Sequence, residues 1–142
     1  MKFFYKIIFL ICLLIPSTAN AQFYVTGDDP GKLKWNYIDT DNFRVIYPIG
    51  SDSLAREYAY KLEKYKIPVS RSTGYMAGEG DGKLMPAVLH TFNGANGSVA
   101  WAPKRMDLFT IPSAYEPETL PWDKMLAIHE SRHVTQMQFG MT

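Results

Sequence analysis

His129-Glu130-Ser131-Arg132-His133 is an H-E-x-x-H pentapeptide. On a helix, residues four apart lie on one face, about one turn from each other. Two imidazoles at that spacing can grip one Zn²⁺ from the same side, and the glutamate sits beside the metal's water without being a ligand. With 3 His and 6 Glu in 142 residues, random placement gives this pattern on the order of a few times per thousand chains, so coincidence explains it poorly. Zn²⁺ held by two neutral imidazoles and a third protein ligand keeps one position for water, whose pKa falls from about 15.7 towards 7. Glu130 is then the candidate general base: it accepts the water's proton as a carbonyl carbon is attacked and passes it to the leaving amine. A peptide bond is the substrate that this chemistry serves best.

The pentapeptide also bounds what surrounds it. An H-E-x-x-H-x-x-G-x-x-H site would need Gly and His where Gln136 and Phe139 stand, which excludes the metzincin pattern. The third ligand is therefore expected elsewhere, as a glutamate on a later helix beyond Thr142. His90 is the remaining histidine, and it reads as a packed strand residue. On a helical wheel with His129 at zero, His133 falls at about +40°, with Trp122, Met125, Leu126 and Gln136 within about 60°. Lys124, Ser131 and Gln138 fall opposite. The wheel thus expects both imidazoles to face the interior or a cleft, and Ser131 to face solvent.

Other elements must carry this helix. Phe43 to Tyr47 alternates apolar and polar residues and stops at Pro48, which predicts a strand. Ser51, Asp52 or Ser53 can cap a helix in which Leu54, Ala55, Tyr58, Leu62 and Tyr65 recur at helical spacing, with Glu57 and Lys61 paired on its exposed side. Pro68 is expected to end that helix or start a short second turn. Gly78-Glu79-Gly80-Asp81-Gly82-Lys83 resembles a phosphate loop until its spacing is checked: Ala77 and Leu84 stand where Gly and Ser or Thr are needed. Ala87 to Phe92 predicts a strand, Asn93 to Gly97 a turn, and Val99 to Ala102 and Met106 to Ile111 two more strands. The last helix is expected from about Thr119–Pro121 to Phe139, with Gly140 as its stop. The order β, α, β, β, β, α implies an α+β fold, a small mixed sheet packed on helices.

Residues 1–21 read as a cleavable leader rather than as part of the fold. Lys2 and Lys6 precede an apolar run from Ile7 to Ile15, Pro16 breaks it, and Ala19-Asn20-Ala21 supplies the small-x-small cleavage pattern. Nine apolar residues are too few to span a bilayer as a helix, so the mature chain is expected outside the cytoplasm, periplasmic or secreted, with no membrane insertion. The one cysteine, Cys12, lies in this segment behind Ile11, against lipid attachment. The expected mature chain, 22–142, is cysteine-free and cannot form disulfides. Of the 15 basic side chains 13 remain, against 14 acidic ones, a balance that offers nucleic acid no electrostatic attraction.

A mixed sheet followed by a helix with H-E-x-x-H resembles the gluzincin-type zinc metallopeptidases. That resemblance implies a zincin-like N-terminal subdomain ending with the active-site helix, zinc on His129 and His133, and Glu130 as general base. It also implies an edge strand that pairs with extended substrate, for which Asn96-Gly97-Ser98-Val99-Ala100-Trp101 is the candidate. More narrowly, Phe43 to Pro48, the Leu54 to Tyr65 helix and His129 to Gln136 are similar to the N-terminal part of exported bacterial peptidase-like proteins that continue into a TolB-type β-propeller. Arg132, charged where general zincin patterns prefer uncharged residues, fits that narrower group. The resemblance implies a peptide or protein substrate and a further downstream domain. The alternative reading is a non-catalytic binding or scaffold module of a periplasmic TolB-like propeller protein.

Overall fold

The computed structural model describes residues 29–74, 83–92, 94, 96–114 and 119–140. The expected leader and the glycine-rich stretch 75–82 lie outside them. Among the described residues the order is β1 (Trp35–Asp39), β2 (Phe43–Pro48), α1 (Asp52–Ser72), β3 (Met85–His90), β4 (Asn96–Trp101), β5 (Lys104–Phe109) and α2 (Trp122–Phe139). The fold is α+β, a five-stranded mixed sheet packed against two helices, in the strand order β1-β2-β3-β5-β4. β2, β3 and β5 run parallel, and β1 and β4 flank them as antiparallel edges.

Alternation along the central strands builds the core. Phe43, Val45 and Tyr47 of β2, Ala87 and Leu89 of β3, and Met106 and Leu108 of β5 turn to one face. There they meet Ala55, Tyr58, Ala59 and Leu62 of α1 and Leu126 and Ala127 of α2. Each large side chain buried in this way contributes about 1.5–3 kcal/mol. α2 is anchored at its start, where the Trp122 indole N–H donates to the Phe109 carbonyl at 2.8 Å.

Four local expectations differ from the structure. β1 was not anticipated, because its side chains carry no apolar alternation: only Ile38 packs on the core. The strand exists through pairing with β2, Ile38 opposite Val45, helped by Arg44, which bonds Asp39 at 2.7 Å and lies over the Tyr37 ring at 4.7 Å. Pro68 does not end α1. It sits on the exposed side, where a lost backbone bond can be replaced by water, while buried Val69 and Ser70 hold the last turn down.

Lys61 bonds Glu57 at 2.8 Å as expected, yet its side chain is largely covered and reaches across to Asp123 of α2. Finally, Asn96 and Gly97 are strand rather than turn, so β4 begins three residues before the strand that alternation predicts, with the bounds of the candidate edge strand Asn96 to Trp101, and the hairpin closes through Ala102-Pro103. Among the described residues no helix is long and apolar enough to cross a membrane.

Candidate metal centre

α2 brings His129 and His133 together and separates Glu130 from them. The two Nε2 atoms lie 3.0 Å apart, with ring centroids 4.7 Å apart and planes at 81°. Facing ring nitrogens at that distance either share one proton-bearing hydrogen bond or direct their lone pairs at one cation. Two nitrogens each bound to a tetrahedral zinc would stand about 3.3 Å apart, so the pair fits as two of its ligands. Partial covering of the ring, then the neighbouring His133 and Arg132, hold His129 below its ordinary pKa, which favours the neutral, ligating form. No group of three or more His, Cys, Asp or Glu placed to hold a metal occurs among the described residues.

The wheel's orientation is corrected here. Both histidines are exposed, and the face α2 buries runs through Leu126, Ala127, Glu130, Ser131 and Thr135. Ser131 was expected at the surface from its place on the wheel opposite the histidines, and it is buried together with Thr135. Being small, they let a neighbouring element approach closely, and Thr135 Oγ1 satisfies itself by donating to the Ser131 carbonyl at 3.0 Å. Large Met125 and polar Gln136 lie nearer the rim instead. The imidazoles therefore stand at the lip of the packed face, with the glutamate inside it.

Glu130 is 3% exposed, and its Oε2 has no hydrogen-bond partner. Its carboxylate lies against the β4 backbone at Gly97. Burial pushes the Glu130 carboxyl up to about 7. A group poised near neutrality can both take and return a proton. Ser131 Oγ and the Tyr58 hydroxyl are also buried without partners, and burial followed by the charges of Asp123 and Glu57 raises the Tyr58 phenol.

His90 is not drawn to this site. It lies on the other face of the sheet, its Nδ1 2.6 Å from Asp29 Oδ2 and its Nε2 3.1 Å from Asp107 Oδ1, with its ring stacked on Phe109. The packed-strand reading describes it. What sequence reasoning missed is the role of Gly97, which stood both in the expected turn and in the candidate edge strand. A lone glycine inside a strand pattern marks a close backbone approach, and Val99 to Trp101 beside it supplied that pattern.

No protein-family model, no curated protein and no solved structure matches the chain.

Proposed function

We propose that the chain is part of a zinc-dependent peptide hydrolase with Glu130 as its general base. The observation that carries this reading is the pairing of converging His129 and His133 nitrogens with a buried carboxylate between them in sequence. His129 and His133 would hold the zinc, and a third ligand would come from outside the described residues. When bound, Zn²⁺ supplies a Lewis acid that polarises a carbonyl and acidifies water near neutral pH. Glu130 takes the proton as water attacks the carbonyl carbon and delivers it to the departing amine.

β4 supports the reading as well. Among the described residues it is an edge strand, antiparallel to β5, the position at which an extended peptide would add to the sheet, with the Gly97 N–H there donated to Asn96 Oδ1 at 2.9 Å. The zincin-like identity of this subdomain, the peptide or protein substrate and the downstream propeller belong to the same proposal. So does export: the secreted or periplasmic chain should begin at Gln22 on N-terminal sequencing.

Glu130→Gln tests the function directly. In the full-length protein it should keep zinc, measured by elemental analysis, and slow hydrolysis of unfolded casein by about 10²–10⁴-fold. His129→Ala and His133→Ala should each lose the metal. A parent protein that takes up no zinc on reconstitution sinks the reading in favour of a binding or scaffold module. A Glu130→Gln variant that cleaves at the parental rate sinks the assigned base.

A further inference from the structure

Glu130 reaches its position only because residue 97 has no side chain. A Cβ added to Gly97 would stand 2.2 Å from Glu130 Oε1, and 2.7 Å from both Glu130 Cδ and Leu126 Cδ1. Real Cβ atoms essentially never approach other heavy atoms closer than 3.0 Å. A methyl group at 97 and the Glu130 carboxylate in its observed place therefore exclude one another.

The backbone does not ask for this glycine. The positive-φ glycines among the described residues are Gly50 and Gly74, so the conformation at 97 is open to any L-residue. In a strand, glycine is also the weaker choice, since it has no side chain to pack. What the position requires is space. The atoms that fill this space are the ends of two α2 side chains, not backbone, so the chain can accept alanine by moving them. Glu130 is the one with consequences. With one oxygen unpartnered and the other pressed on β4, it is held by packing, and packing is what alanine would change.

We propose that Gly97 is a positioning residue: its absent side chain forms the seat that holds the Glu130 carboxylate between β4 and α2, behind the paired histidines. The catalytic consequence rests on the hydrolytic reading above, whereas the seat itself does not.

Gly97→Ala in the full-length, zinc-loaded protein should lower kcat for casein peptides at least tenfold, change KM less than threefold, and leave zinc content unchanged. In a Glu130→Asp background, whose carboxylate is one methylene shorter, Gly97→Ala should cost less than twofold further. A Gly97→Ala variant within twofold of the parent, or an equal loss in the Asp background, overturns the proposal. Leu126→Ala separates the other contact: if it restores Gly97→Ala, the seat belongs to Leu126 and the proposal fails.

A second measurement needs no activity. Gly97→Ala should lower the urea midpoint of the parent by clearly more than that of Glu130→Ala, where only the contact with Leu126 remains. The same shift in both backgrounds overturns the seat. Should Gly97→Ala alone fail to fold, the Gly97→Ala/Glu130→Ala double variant should fold, and its failure to do so overturns the seat too. A parent that neither binds zinc nor hydrolyses peptide ends the hydrolytic reading while leaving this denaturation comparison to judge the seat.

Discussion

His90 and Glu130 are buried to nearly the same depth, 5% and 3% exposed, on opposite faces of one sheet, yet the molecule treats them differently. Around His90 each charge has an opposite: Asp29 on Nδ1, Asp107 on Nε2, and the Arg105 Nε donating to Asp107 at 2.8 Å. Burial alone would lower the His90 ring, but the bonds and charges of Asp107 and Asp29 outweigh it and hold the ring above its ordinary value. Burial would likewise raise Asp107, and its bonds to His90 and Arg105 hold it below the usual carboxylate range. Glu130 has no such company, and only burial acts on it. Folded proteins seldom leave a buried charge unmatched, and sites that move protons are where they do. The contrast separates an ion cluster that holds the sheet from a carboxylate whose isolation suits chemistry.

The comparison can be broken at either end. The largest effect is expected from Asp107→Ala, which leaves the buried imidazole without its Nε2 partner and should destabilise the chain by about 3–5 kcal/mol in urea denaturation. A loss below about 1 kcal/mol would mean that the cluster holds little. Glu130→Gln should do the reverse. It removes an ionisable group that burial disfavours, so stability of the zinc-free protein at pH 8 should be unchanged or higher by up to about 3 kcal/mol. Clear destabilisation there would show that the carboxylate has a stabilising partner and that the contrast is false.

A smaller effect sharpens the contrast by pH. Because His90 is raised, its contribution is fully present below its unfolded value, 6.5, and is lost as pH rises through the folded value. Because Asp107 is lowered, its contribution is present above 3.8 and is lost as pH falls through its folded value. Urea midpoints should therefore be best supported by this cluster between about pH 4 and 6.5 and decline on the alkaline side. In a Glu130→Gln background, which lacks the alkaline loss from that raised carboxyl, His90→Phe should remove the remaining alkaline decline, and a profile unchanged by it would discount the cluster as its source. Smallest of all should be Asp123→Asn. The partly covered Lys61 pair it breaks links α1 to α2, but Lys61 keeps Glu57, so its loss should cost about 1 kcal/mol.

How much of this was legible follows from the range of each interaction. The bounds of α2 could be read from Pro121 and Gly140, and the central strands from their alternation, because those signals lie within a few residues. The same holds for the meeting of His129 and His133, since i,i+4 spacing on one helix brings ring nitrogens together whatever surrounds it. β1 escaped notice because its pairing with β2, not its own pattern, makes it a strand.

The H-E-x-x-H residues, the α+β class and the helix that presents the histidines were determined by the amino-acid order alone, through periodicity and local punctuation. Tertiary structure decided which way α2 is turned, so that Glu130 and not the histidines faces inward. It also decided that His90 joins an ion cluster on the far face, and that Gly97 lies beneath the carboxylate. The physical reason is that a helix wheel knows only its own side chains. Which arc is buried depends on how closely neighbouring elements can approach, and small residues such as Ala127, Ser131 and Gly97 settle that by the room they leave.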